Sequence, residues 1–100
     1  MAHAKTYTLA SFPEYFQATI DKRKTHELRT DENSYAVGDI LHLEEFEPTT
    51  KTYTGRTADV VITFISPGPE PWLPKGHTLM STRLKDPTHW YTPIAKVFEN

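Results

Sequence analysis

Apolar and polar residues alternate along most of this chain, and one short stretch breaks from that period into a helical one. Residues 5–9 read as a first strand, with Tyr7 and Leu9 on one side. Phe12, Tyr15, Phe16 and Ile20 then follow an i, i+3, i+4, i+8 spacing, which predicts a helix whose single apolar stripe packs on a sheet as core. Ser11 stands three residues before Glu14, the spacing of a capping box, and Pro13 is tolerated in a first helical turn. After Asp21 the period returns to two. Thr25, Glu27 and Arg29 alternate with His26, Leu28 and Thr30, predicting a strand from about Thr25.

Residues 30–35 are turn-rich, and Gly38 supplies backbone freedom for a tight turn into the next strand, 40–46. Leu41, Leu43 and Glu45 share one side of that strand, opposite Ile40, His42, Glu44 and Phe46. Residues 48–55 read as a polar hairpin loop anchored by Tyr53. The clearest strand is 56–65, with Ala58, Val60, Ile62 and Phe64 forming its apolar face, and it pairs antiparallel with 40–47. Four prolines exclude a regular element from 66–75, where Trp72 is either a plug over the core, the reading large aromatics favour, or a wall of a pocket. Residues 78–84 return as a strand, Asp86-Pro87-Thr88 is a turn, His89-Trp90-Tyr91 is an aromatic run, and 94–98 close the sheet. Five to six short strands with one early helix predict an α+β fold on a small, curved, partly closed β-barrel.

Length and composition narrow the function. One hundred residues make one domain, 1–100. The net charge of −2 gives no long-range pull on nucleic acid, so any phosphate binding has to come from a local patch. No cysteine is present, which removes disulfides and thiolate chemistry. No apolar run reaches membrane-span length and Met1 opens no signal-peptide core, so the expected location is cytoplasmic, with no membrane partner. His3, His26, His42, His77 and His89 show no metal-ligand spacing, and no glycine-rich phosphate loop appears. Neither a metal nor a cofactor is expected.

The chemistry gathers between residues 22 and 29, which hold four of the eleven basic residues and one carboxylate, Glu27. Strand parity puts Glu27 and Arg29 on one face, and Lys24 can join them only from the turn before the strand or across a bulge. A carboxylate held between two cations either orients them toward a ligand or simply neutralises them. The bland reading is a surface cluster of ion pairs, worth about 0–1 kcal/mol each.

The order Lys24-x-x-Glu27-x-Arg29, preceded by a Phe16-x-x-x-Ile20 helix and followed by Val37-Gly38-Asp39-Ile40, resembles the ASCH domain, a branch of the PUA-like superfamily. Phe12-Pro13-Glu14-Tyr15-Phe16, the Lys24-Thr25-x-Glu27-x-Arg29 core and Tyr53-Thr54-Gly55-Arg56 look like a small bacterial and phage branch of unknown function described as RNA-binding-like. The likeness covers about residues 5–65. The ASCH signature opens with glycine two residues before the lysine, where this chain has Lys22.

The resemblance implies a PUA-like pseudo-barrel with a cleft between helix and barrel, lined by Lys24, Glu27 and Arg29. That cleft would take RNA or a nucleotide-like ligand. Arg23 adds a cation, and Tyr53, Trp72 and Trp90 are candidate stacking faces. The first expectation is thus a binding module for RNA or a modified nucleoside. The second is an amidohydrolase acting on acylated cytidine-type nucleosides, similar to the bacterial acetylcytidine amidohydrolase, with Lys24 steadying the oxyanion and Glu27 activating water. That enzyme carries threonine at the position of Glu27, which ranks the catalytic reading second. The third is a protein-interaction or structural domain with no ligand.

Overall fold

The computed structural model describes residues 3–66 and 70–85. The expected turn at Asp86, the aromatic run of His89 and Trp90, and the closing strand 94–98 lie outside these residues. Six elements follow in order: β1 (Thr6–Ser11), α1 (Pro13–Ile20), β2 (His26–Thr30), β3 (Ile40–Glu47), β4 (Thr52–Ile65) and β5 (His77–Leu84). The strands form one mixed sheet in the order β1-β3-β4-β5-β2. Only β1 and β3 are parallel, joined by a crossover that contains α1 and β2. The sheet curls into a half-barrel whose two edge strands, β1 and β2, approach each other, and the Arg29 side chain on β2 donates to the Ala10 carbonyl on β1. This is the expected α+β class, with five strands among the described residues.

The period-two pattern explains the core. Leu41 and Leu43 of β3 face inward opposite Val60 and Ala58 of β4, and Ile62, Met80 and Phe16 complete the buried cluster. Gly38 adopts φ +96°, in the region that favours glycine, and the buried Asp39 side chain accepts from the Lys5 and Ala36 amides to hold this turn.

Four expectations are corrected. Ser11 does not cap α1: it is the last residue of β1, paired with Glu45, and Phe12 takes the N-cap position with no side-chain hydrogen bond. Strand pairing outcompetes the local cap, and Pro13 with its preset φ starts the helix directly. Phe12 and Tyr15 are not core, although Phe16 is buried and Ile20 packs against it. The four-residue stripe spans about 140° on a helix of 100° per residue, more than a two-turn helix lying on a curled sheet covers. The 48–55 loop is shorter than expected, because β4 already starts at Thr52 and Tyr53 pairs with Phe46 inside the ladder. Phe64 leaves the apolar face and is 57% exposed, because the β4–β5 register shifts between Ile62 and Phe64.

Candidate functional site

The end of α1 sets the site's geometry. The amides of Arg23 and Lys24 both donate to the Ala18 carbonyl, while Lys22 turns the chain with φ +64°. A side-chain residue in that left-handed conformation is strained by roughly 1–2 kcal/mol, and glycine is not. Part of the relief is offset by the greater freedom of glycine in the unfolded chain. Lys22→Gly is therefore expected to stabilise the protein by about 0.5–1 kcal/mol, read as a higher urea midpoint at unchanged m-value.

The turn aims Lys24 back across the start of β2. Its Nζ donates to Glu27 Oε2 at 2.9 Å and to the His26 carbonyl at 2.6 Å, and it stands 5.8 Å from the centre of the Tyr15 ring. From two residues further along the same strand face, Arg29 Nε donates to Glu27 Oε1 at 3.0 Å. Arg29 Nη2 reaches the Ala10 carbonyl at 3.0 Å, across the open seam of the half-barrel. Glu27 itself is 3% exposed, and both of its oxygens accept from cations. The carboxylate is the fixed centre, and the two cations are oriented around it.

These groups line an open cleft of about 420 Å³ between α1, the end of β1 and β2. Lys24, Glu27 and Arg29, which the sequence marked, share it with Ser11, Phe12, Tyr15 and His26, which the sequence did not mark as site residues. Three candidates are not brought there. Arg23 is exposed and pairs with Asp21 at 3.1 Å. Tyr53 stacks edge-on against Phe46 at the far end of the β3–β4 hairpin. Trp72 sits in a turn after β4, 59% exposed, so it is neither a plug over the core nor a wall of this cleft. Trp90 lies outside the described residues.

A second polar cluster braces α1 from its other side. Glu45 is buried at an inward position of β3, where it accepts from Arg56 Nε at 2.9 Å and from the Thr54 hydroxyl at 2.6 Å. Arg56 also donates to Gln17 at 3.0 Å and lies over the Phe16 ring at 4.9 Å. Burial pushes the Glu45 carboxyl up, but the Arg56 and Thr54 hydrogen bonds and the Arg56 charge outweigh it and hold the group below its ordinary value. A depressed carboxyl stabilises the fold above the ordinary glutamate range and loses that contribution as pH falls through its lowered folded value. Glu45→Gln is thus expected to be the less stable protein at neutral pH. Its deficit against the parent should shrink as the pH drops below the glutamate range, followed by urea midpoints across that range. A deficit constant with pH would show that the carboxylate charge contributes nothing.

Residues 6–82 match a family described as Domain of unknown function (DUF3850), and the chain belongs to it. No curated protein matches the chain. Among the described residues, no helix is long and apolar enough to cross a membrane, and no three His, Asp or Glu side chains are grouped to hold a metal ion.

Proposed function

We infer that the protein is a binding module for RNA or a nucleotide-like ligand, an ASCH-type member of the PUA-like superfamily, with the Lys24–Glu27–Arg29 cleft as its site. The observation that carries this reading is the single buried carboxylate holding two cations at the mouth of a cleft with exposed aromatic walls, Phe12 and Tyr15. An ion-pair cluster serving stability alone needs no concavity. Cations fixed in advance lose less freedom when a phosphate arrives, and a neighbouring aromatic face suits a base.

The test is titration of short single-stranded RNA into the parent protein and into Lys24→Ala and Arg29→Ala, with near-ultraviolet circular dichroism to confirm folding. Each substitution is expected to weaken binding by about tenfold or more, since each removes a charge-assisted contact of about 1.5–3 kcal/mol. Unchanged affinity in both variants would remove the cleft from the function.

The amidohydrolase is the second reading, and one observation favours it. Ser11 brings a buried hydroxyl into the cleft, where the enzyme's threonine has no counterpart on β2. Against it, both Glu27 oxygens are engaged by Lys24 and Arg29. Release of cytidine from acetylcytidine, abolished by Glu27→Gln in a folded variant, would reverse the order of the two.

A further inference from the structure

We propose that the cleft takes one nucleotide unit carrying a single phosphate, and that Ser11 reads a polar atom of that same unit. The proposal deepens the binding reading above and rests on it.

The cleft's remaining donors set the charge it can take. Lys24 has three ammonium protons, and two are committed to Glu27 and the His26 carbonyl. Arg29 commits its Nε proton to Glu27, and its Nη2 serves both the Ala10 carbonyl and, at 2.9 Å, Glu27 Oε1, leaving both protons of Nη1. One ammonium proton and the two Nη1 protons are thus free among the described residues, on two cations held by the same Glu27 carboxylate. They match the oxygens of one phosphate in number and charge. With Glu27 counted against them, Lys24 and Arg29 leave a surplus of one positive charge, which one phosphodiester neutralises. Apart from these two, no lysine or arginine among the described residues lines the cleft. Arg23 is turned to Asp21 and Arg56 to Glu45, so neither extends the site into a track along a nucleic-acid backbone. With a net charge of −2, the chain as a whole adds no long-range attraction for further phosphates.

Ser11 supplies the second observation. It is 5% exposed, lines the cleft, and its hydroxyl has no hydrogen-bond partner among the described residues. A buried hydroxyl left unpaired costs about 1–3 kcal/mol, so a partner brought in by a ligand is favoured there. Phe12 and Tyr15 beside it give the apolar walls that a planar ring needs. A free nucleoside monophosphate and one unit of an RNA strand both offer a base, a ribose and one phosphate to these groups, the monoester with roughly one further negative charge at neutral pH.

Calorimetric titrations separate the two sources and test the proposal. The probes are uridine and adenosine 5′-monophosphates, the two nucleosides, inorganic phosphate, and oligonucleotides of two to six units. A monophosphate is expected to bind at least about tenfold more tightly than its nucleoside. Affinity should not rise beyond the shortest oligonucleotide, and its dependence on salt should have a log–log slope of about −0.7, the value for one phosphate on a single strand. A preference for the free monophosphate identifies a small-molecule site, and equal or tighter binding of the dinucleotide identifies a unit of RNA. Ser11→Ala should weaken binding about three- to tenfold with the slope unchanged. Affinity that climbs with length at a slope of about −1.4 or steeper would overturn the single-unit site while leaving an RNA-binding module. A nucleoside or inorganic phosphate binding as well as the monophosphate would overturn it too. Full affinity in Ser11→Ala would remove the serine from recognition. If no probe binds at any length, the function proposed above falls with it.

Discussion

Glu27→Ala is expected to destabilise the protein by about 2–4 kcal/mol, far more than any exposed ion pair would. Removing one partner of a buried pair costs about 3–5 kcal/mol, because the remaining charge is left without compensation. Here the remaining charges are Lys24 and Arg29, whose side chains keep 16% and 24% of their exposure and can partly swing to water, which trims the range. At about 4–8 °C per kcal/mol for a domain of this size, the melting temperature should fall by about 8–32 °C. The companion triple variant, Lys24→Met with Glu27→Leu and Arg29→Met, removes the charges together and should return to within about 1–2 kcal/mol of the parent. Neither protein should bind RNA. A loss below about 0.5 kcal/mol in Glu27→Ala would mean that the carboxylate is effectively solvated and that nothing fixes the cations around it.

The second large effect separates two residues that the alternating pattern treats alike. Ile62→Ala should cost about 2–5 kcal/mol, because Ile62 is fully buried among Leu41, Val60 and Met80 and its truncation leaves a cavity. Phe64→Ala removes a larger ring, yet it should cost less than about 1 kcal/mol, since the bulge after Ile62 has already turned that ring to solvent. Chemical denaturation of the two variants gives the comparison directly. Equal losses would place Phe64 in the core and contradict the register shift.

That pair also marks where the amino-acid pattern stops being readable. Period-two alternation gives β3 and β4 correctly, since Leu41, Leu43, Val60 and Ile62 each have one apolar side to bury. Parity alone puts Glu27 and Arg29 on one face with Lys24 arriving from the turn, and the hydrogen bonds have that arrangement. A bulge depends on how two distant strands share their register, so nothing local to Phe64 announces it. The neighbours of Ser11 in sequence suit a helix cap, whereas its partner Glu45 lies on another strand. Phe12 and Tyr15 satisfy helical spacing whether the stripe meets core or cleft. Glu45 carried a signal that went unused. A carboxylate on the inward side with Leu41 and Leu43 requires a cationic or hydrogen-bonding partner, and Arg56 on the next strand of the hairpin is a cation of the right reach.

The strand order carries a consequence for how the chain assembles. β3 and β4 are consecutive and joined by a short turn, so their contacts form at little cost in loop closure. β1 and β2 are early in sequence but outermost in the sheet. They join it through partners far along the chain: the Lys5 amide meets Asp39, 34 residues away, and the Thr78 hydroxyl meets Asp31 at a separation of 47. Closing such long loops is expected to wait until the hairpin and β5 offer the edges on which β1 and β2 dock. The cleft lies between these two late arrivals, bridged by Arg29 and Ala10. Its opening free energy is therefore bounded by the fraying of the outer strands rather than by global unfolding, so amide exchange should reach β1 and β2 before the hairpin. If the cleft holds the ligand proposed for it, that competence is expected to arrive last on folding and to be lost first, and the bound ligand would act as the clasp that keeps the barrel's edges together.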